Sequence, residues 1–319
     1  MKVAIITEGF QGTGYGHLTR GLSICQAFEE KGISPLYIAN CDETSKKFIP
    51  NVNLIQLNWL ENEETLISKI KNYDIAIIDS YLAPLETYNK IFKSVKKTVY
   101  LDDFIRLDYL PGIIVNGTIG AENLPYPKSE KHKLFLGIDF VPLRKEFWDV
   151  EIPERLNNNK KNVLITFGAQ DFRNLTAKML AFLFNEFPSM NYHVVVSEKF
   201  VPELENANIH YYHSLNAEEM LDLMLKCDLA ITAAGQTTYE LARIGLQTIA
   251  IGVAENQKHN LKGWIEKGFL KKEIWYNNED FLEQVTNSFN EIIKNSNDDD
   301  TTYCDGQGAR RIINTIIDD

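Results

Sequence analysis

Apolar and polar positions in this chain alternate in blocks rather than residue by residue. Short continuous apolar runs such as Val3-Ala-Ile-Ile6 and Ile75-Ala-Ile-Ile78 are separated by longer stretches in which apolar residues recur at helical spacing. The first kind predicts buried strands at residues 3–7, 35–39, 75–79, 98–101, 113–115 and 134–136, then at 162–167, 193–197, 209–212, 229–232 and 248–251. The second kind predicts helices at 18–31, 63–71, 175–186, 217–226, 238–243, 261–267, 280–294 and 309–317. In the first of these, Leu18, Leu22, Cys25 and Phe28 share a face, and Gly32 sits where a C-terminal cap belongs. Strands apolar on both faces and alternating with helices call for parallel sheets covered on both sides by right-handed crossovers. The expected fold is therefore α/β, with two doubly wound, Rossmann-like domains facing a cleft and ligands held outside the C-terminal strand ends.

Residues 151–161 carry Pro153 and the run Asn157-Asn-Asn-Lys-Lys161, with neither period nor apolar content. A linker there divides the chain into 1–152 and 153–319, two domains of ordinary size. Residues 295–300 form a second polar break, in which Asp298-Asp-Asp300 reads as a solvated loop. Whether the last helix returns to the first domain is open. A net charge of −11 and a pI near 5.2 argue against nucleic acid or an anionic membrane as the main partner, because both need a positive surface. Cys25, Cys41, Cys227 and Cys304 have no paired or metal-type spacing, which points to reduced thiols. Met1-Lys2 leads straight into a strand, leaving no room for a signal peptide, and no apolar run spans a bilayer. The expectation is a cytoplasmic protein with no stable membrane insertion.

The stretch Gly12-Thr-Gly-Tyr-Gly-His-Leu-Thr-Arg20 joins the first strand to the first helix. Gly14 and Gly16 free backbone N–H groups for a ligand, and a helix N-terminus favours negative charge. The turn also delivers His17, and imidazole suits proton transfer near neutral pH. A Rossmann-type turn with an incidental surface histidine fits the same residues. In the second half, Leu229-Ala-Ile-Thr-Ala-Ala-Gly235-Gln-Thr-Thr-Tyr-Glu240 reads as a strand, a small-residue turn and a helix start. Gly235 would let a phosphate approach, Thr237 and Thr238 offer hydroxyls, and Glu240 would accept from ribose hydroxyls. Thr237-x-x-Glu240 also matches a capping box, and the two readings are compatible. Gly168, in the turn Thr166-Phe-Gly-Ala-Gln-Asp171, either lines the same cleft or is merely a turn residue. Asn256 and Gln257 would grip sugar hydroxyls or phosphate oxygens, or simply start a helix.

Asp79-Ser-Tyr81 and Leu101-Asp-Asp103 each end an apolar strand with polar groups, where an aspartate is as often a turn former as a functional group. A carboxylate beside His17 would fix its tautomer, with Glu8 and Asp79 both open as candidates. No cluster at ligand spacing calls for a metal, no cofactor is expected, and His210 and His213 read as surface or packing residues.

Taken in order along both halves, these motifs carry a resemblance. Gly14 to Arg20, Asp79-Ser-Tyr81, Leu101-Asp-Asp103, Leu143-Arg-Lys-Glu-Phe147, the turn at Thr166 to Asp171, Cys227 to Gln257 and Asp305-Gly-Gln-Gly-Ala-Arg310 resemble the nucleotide-sugar hydrolases of pseudaminic acid biosynthesis. Those enzymes cleave UDP-2,4-diacetamido-2,4,6-trideoxy-β-L-altropyranose to the free sugar and UDP. They are GT-B-like and related to the UDP-N-acetylglucosamine transferase of peptidoglycan synthesis. The resemblance implies a UDP-sugar substrate, His17 as the catalytic histidine, Arg144, Glu240 and Asn256 as donor-binding residues, and Tyr81 near the sugar. Hydrolysis would proceed by water attack at the anomeric carbon, opposite the nucleotide. One departure stands out: the family usually has a basic residue and then an aspartate at the end of the first strand, where this chain has Ile6-Thr7-Glu8. Some members of the family serve other nonulosonic acids or spore-coat polysaccharides. The competing function is a glycosyltransferase of the same fold, moving the sugar to a hydroxyl. A lipid-acceptor transferase calls for an apolar or basic docking patch in its first domain, and none is evident from the sequence. A non-catalytic nucleotide-sugar binder is a third class, disfavoured by the histidine at the expected turn.

Overall fold

In the computed structural model every paired strand runs parallel to its neighbour. The structure describes all residues except 11–13, 51, 128, 153–160, 169, 170, 172, 295–300 and 319. Gly12 and Thr13 of the glycine-rich stretch, the expected linker at 153–160 and Asp298-Asp-Asp300 thus lie outside the described residues. Two compact units are resolved: Met1–Lys145 together with Gly306–Asp319, and Glu146–Asp305.

The first unit holds strands β1 (Val3–Gly9), β2 (Leu36–Cys41), β3 (Asn53–Gln56), β4 (Ile75–Asp79), β5 (Lys97–Leu101), β6 (Gly112–Asn116) and β7 (His132–Leu136). Their order across the sheet is β3-β2-β1-β4-β5-β6-β7. β1 is buried at every position, as a strand covered on both faces must be. Between the strands run α1 (Gly16–Glu29), α2 (Glu63–Ile70) and α3 (Leu85–Phe92). After α1, Gly32 adopts φ +74°, the Gly32 N–H donates to Glu29 O and the Ile33 N–H to Phe28 O. This is a Schellman closure, and it explains why glycine stands there. Gly21 lies where α1 crosses β2: a Cβ there would come 2.6 Å from the Tyr37 hydroxyl, which itself donates to Leu18 O.

The second unit repeats the plan with β8 (Asn162–Thr166), β9 (Asn191–Val196), β10 (Ile209–His213), β11 (Leu229–Ala233), β12 (Thr248–Gly252) and β13 (Ile274–Trp275), ordered β10-β9-β8-β11-β12-β13. Numbered within the unit, this is the Rossmann order 3-2-1-4-5-6, and the first six strands of the other unit follow it too. Helices α4 (Leu175–Glu186), α5 (Ala217–Lys226), α6 (Thr237–Arg243) and α7 (Lys258–Glu266) lie between these strands, and α8 (Phe281–Lys294) follows the last of them. Val163, Ile165, Val194, Ile231 and Ile251 from four of the strands share one core with Leu183, Val285 and Phe289. The fold is thus two doubly wound α/β units of GT-B-like type.

The last helix, α9 (Gly308–Asp318), belongs to the first unit and packs on α1. It buries Ala309, Ile312, Ile313 and Ile316. Arg310 forks onto Glu30 at 2.7 and 2.9 Å, and Arg311 donates to Asp139 O at 2.6 Å. Gly308 presses against backbone: a Cβ there would fall 2.1 Å from Val141 O.

Candidate functional site

In an open α/β sheet of this order the strands on either side of the first and fourth diverge, and the crevice at their carboxyl ends is where ligands bind. In the first unit that point lies between β1 and β4, with Thr7 in register with Asp79. β1 ends in Glu8 and Gly9, and Gly14, shortly before α1, has a φ of +86° that suits only glycine comfortably. The Gly14 N–H donates to Phe10 O at 3.1 Å. Gly16 opens α1 with open space where a Cβ would stand, and His17 follows on its first turn.

His17 is brought against the end of β4. Its Nδ1 lies 3.6 Å from Asp79 Oδ1, and its ring stands edge-on to the Tyr81 ring at 4.3 Å and 88°. Both oxygens of Asp79 accept from Arg20, Oδ2 from Nε at 2.7 Å and Oδ1 from Nη2 at 2.6 Å. Arg20 also donates to Asp103, which accepts the Tyr81 hydroxyl as well. Burial works to lower the Arg20 charge, but the two carboxylates more than compensate and hold the guanidinium well above its ordinary value. Burial likewise works against the Asp103 charge, yet Arg20 and the Tyr81 hydroxyl hold its carboxyl below the usual range.

Of the two carboxylates open as partners for His17, Asp79 makes the contact. Glu8 does something else. Its Oε1 accepts from Ser80 Oγ, the Tyr81 N–H and the Leu82 N–H at 2.9, 2.8 and 3.1 Å. It thereby pins the turn that presents Tyr81. Its Oε2 is buried with no hydrogen-bond partner. Burial pushes the Glu8 carboxyl up, against the opposing pull of Ser80, His17 and the two backbone N–H groups. A carboxyl raised by folding supports the native state below its unfolded pKa, and that support is lost as pH rises through the folded value. Glu8→Gln removes this titration, so the stability of the variant relative to the native protein should climb as pH rises from about 4.5 toward neutrality. Leaving the new amide N–H without an acceptor adds a constant cost, so only the slope is diagnostic. Urea unfolding of both proteins over that pH range measures it, and parallel curves would contradict a raised Glu8.

Asp102 is a turn former. Its carboxylate accepts from the Ile105 and Arg106 N–H groups at 2.8 and 3.2 Å and from the Tyr109 and Tyr126 hydroxyls. It secures Ile105 at φ +58°, a left-handed conformation that a β-branched residue seldom adopts. Arg144 is half-buried in the last residues of the unit before its chain leaves.

In the second unit the corresponding point lies between β8 and β11. Gly168 follows β8 with φ +79° and open space at its Cβ position, while Ala169 and Gln170 lie outside the described residues. After β11 comes Gly235, where a Cβ would stand 3.8 Å from Gln257 Nε2. Gln257 is itself fixed by accepting the Val253 N–H at 2.9 Å. The structure thus joins Gly235 to Gln257, from different strand ends, while Asn256 is exposed beside it. Thr237 is half-buried and Glu240 is buried, on α6.

Two expectations change here. α6 begins at Thr237, its capping position is Gln236, and no side chain caps it, so Thr237-x-x-Glu240 forms no capping box. The Thr238 hydroxyl is occupied internally: it donates to Gly235 O at 2.6 Å and accepts from Trp264 Nε1 at 3.1 Å. Asn260, which the sequence did not mark, bridges this turn by donating to Ala234 O at 2.9 Å and accepting from the Tyr239 hydroxyl. Its signal was the polar residue on the buried side of a short amphipathic helix. His210 and His213 sit exposed on β10, the former stacked on His193 at 5.2 Å.

Among the described residues, no group of three or more His, Cys, Asp or Glu side chains could hold a metal ion. Among them, too, no helix is long and apolar enough to cross a membrane. Tyr81, Leu82, Leu85 and Phe104 are large apolar side chains left exposed in the first unit, the Tyr81 and Phe104 rings 5.5 Å apart. Tyr81, Leu82 and Leu85 fall in one short stretch after β4, and Phe104 comes from the stretch after β5.

No protein-family model matches the chain. It is 29% identical over 285 residues to an uncharacterized protein of Methanocaldococcus jannaschii, covering 84% of this chain and 59% of that protein. It is 27% identical over 279 residues to the pseudaminic acid cytidylyltransferase and UDP-2,4-diacetamido-2,4,6-trideoxy-β-L-altropyranose hydrolase of Helicobacter pylori, covering 85% and 48% respectively. A third relative is the spore coat polysaccharide biosynthesis protein SpsG of Bacillus subtilis, 22% identical over 281 residues, with 84% of this chain and 82% of that one covered. The chain therefore spans about half the length of the first two. The resemblance carried by the motifs extends over most of the sequence. Among solved structures, the UDP-GlcNAc 2-epimerase of Neisseria meningitidis superposes with a TM-score of 0.68 at 12% identity, each chain covered in full. MurG of Acinetobacter baumannii does so at 0.64 and 13%, again over both whole chains. At such identities the likeness is one of fold.

Proposed function

We propose that the chain hydrolyses a nucleotide-activated sugar, a UDP-linked diacetamido-trideoxy sugar, to the free sugar and the nucleoside diphosphate in pseudaminic-type nonulosonic acid synthesis. What supports the reading most is His17 facing Asp79 at the switch point of the first unit. A carboxylate behind Nδ1 favours the tautomer with its proton there, which leaves the Nε2 lone pair to take a proton from water. The 3.6 Å separation is longer than a hydrogen bond, a contact of the kind that tightens when substrate binds. Water oxygen bonds to the anomeric carbon, the carbon–oxygen bond to the diphosphate breaks, and its electron pair leaves with the nucleotide. The relative from Helicobacter pylori bears the name of this reaction, and its match covers both units.

In this reading the second unit takes the nucleotide. Gly235 lets the diphosphate approach the backbone, Thr237 and the Gln257 amide donate to it, and Glu240 accepts from the ribose. Asn256 and Arg144 complete the donor contacts, and Gly14, Gly16 and Gly168 keep the strand ends open. Glu240→Ala should weaken UDP binding by about 1–3 kcal/mol, or roughly five- to a hundredfold, since a ligand hydroxyl would lose a buried acceptor. Calorimetric titration with UDP reads this directly, and an unchanged affinity removes Glu240 from the site.

A second reading, a glycosyltransferase using the same donor, is favoured by the exposed Tyr81, Leu82, Leu85 and Phe104, which would suit an apolar acceptor. Incubation with UDP-, CMP- and GDP-sugars separates the two. Nucleotide release in buffer alone supports hydrolysis, whereas release only after an acceptor is added supports transfer.

A further inference from the structure

Arg20 follows His17 by three residues, so both lie on one face of α1. Its guanidinium spans two carboxylates on different strand ends. Nε and Nη2 reach Asp79 at 2.7 and 2.6 Å, and Nη1 and Nη2 reach Asp103 at 2.7 and 3.2 Å. Each carboxylate leads back to the imidazole by a separate route. Asp79 Oδ1 stands 3.6 Å from His17 Nδ1. Asp103 accepts the Tyr81 hydroxyl, and the Tyr81 ring is the one set edge-on to His17 at 4.3 Å. The contacts close a circuit: Arg20, Asp79, His17, Tyr81, Asp103 and back to Arg20.

We propose that Arg20 is a positioning residue for His17, fixing the carboxylate behind Nδ1 and, through Asp103, the ring that flanks the imidazole. Only a planar fork can grip both carboxylates through two N–H groups each; a lysine ammonium supplies the charge but not that geometry. Glu8 steadies the same assembly from below by pinning the backbone of Tyr81 and Leu82, but it forms no part of the circuit. In its kinetic consequence the proposal rests on His17 acting as a base; in its structural consequence it does not.

The test compares Arg20→Lys with the native protein in two ways. In the unliganded protein, the ¹H–¹³C imidazole correlation of His17, assigned by its loss in His17→Gln, feels the ring current of Tyr81. In Arg20→Lys it should move toward its position in Tyr81→Leu; a correlation that stays at the native position overturns the proposal. In turnover of the nucleotide sugar, Arg20→Lys should lower kcat by about 10- to 100-fold with KM within about threefold, the usual cost of a small misplacement. The same substitution should add nothing in a His17→Gln background, because the two residues act as one unit. Losses that multiply in the double variant overturn it. If no nucleotide sugar is turned over, the hydrolase reading falls and the imidazole correlation alone decides this one. If Arg20→Lys does not fold, Asp103→Asn breaks the circuit at its more exposed arm. The same displacement of the His17 correlation is expected there, and its absence counts against the proposal.

Discussion

His17→Asn should lower the turnover of a nucleotide sugar by about two to four orders of magnitude while leaving affinity for UDP within about threefold. The two halves of this expectation come from different places in the chain. The imidazole sits at the end of β1 and β4 in the first unit, whereas Gly235, Thr237, Glu240 and Gln257 sit at the strand ends of the second. Asparagine retains polarity and approximate size, and the His17 side chain is 16% exposed, so the fold should tolerate the change with little loss. Steady-state kinetics separate a base from a ligand grip: loss of a base falls on kcat, loss of a grip falls on KM. A variant with near-native kcat would leave the glycine turn as a binding platform and move the transferase ahead. His17→Ala should match His17→Asn in kcat, since neither side chain can take the proton.

Gly308→Ala should destabilise the first unit by roughly 3 kcal/mol, a large effect for a single methyl group. The added carbon would stand 2.1 Å from Val141 O and 2.7 Å from the Val141 carbonyl carbon and nitrogen. All three are backbone atoms that cannot rotate away. The helix must therefore lift, and with it Ala309, Ile312, Ile313 and Ile316, whose burial stabilises by about 1.5–3 kcal/mol for each isoleucine. Urea unfolding followed by fluorescence measures the loss, and a midpoint equal to that of the native protein would show that α9 is free to shift. Gly306, two residues earlier, has φ +78° and makes the turn that precedes the helix. Both glycines of Asp305-Gly-Gln-Gly-Ala-Arg310 thus have structural reasons to be glycine, and Arg310 is engaged with Glu30 and Gln307. In this chain that motif is a docking device for its last helix.

The apolar runs foretold strands well where the sheet covers both faces, because burial then leaves no choice of residue type. β1 and β4 are the clearest cases. β3 was missed since it lies at the sheet edge, carries Asn53 and Gln56 at its ends and is nowhere fully buried. α3 was missed because one of its three buried positions is Thr87, which blurs the apolar stripe. β13 is two residues long and has no period to read. Around the candidate site, His17 and Tyr81 were visible because each sits in a short motif. Which of Glu8 and Asp79 meets His17 was not, for register decides it: Thr7 aligns with Asp79, and Glu8 turns instead to the Ser80 hydroxyl and the two N–H groups beyond it. Arg20 was on the page three residues after His17, but its two partners lie 59 and 83 residues away. Asn260 holds the Gly235 turn across 26 residues; its place on the buried side of α7 is a signal of a partner, but not of which one.

The placement of α9 sets an order on how the protein is made. A ribosome delivers residues 1–145 first and must then translate all of Glu146–Asp305, about 160 residues, before the helix that completes the earlier unit emerges. At about 5–20 residues per second that interval lasts on the order of ten to thirty seconds. Throughout it, the face of α1 that α9 will cover stays bare, and the backbone of Val141 waits for Gly308. The later-born unit has its strands and helices in one uninterrupted stretch and is under no such constraint. The newborn chain is thus most exposed to chaperones, and to mispairing with its neighbours on a polysome, in the half that was synthesised first.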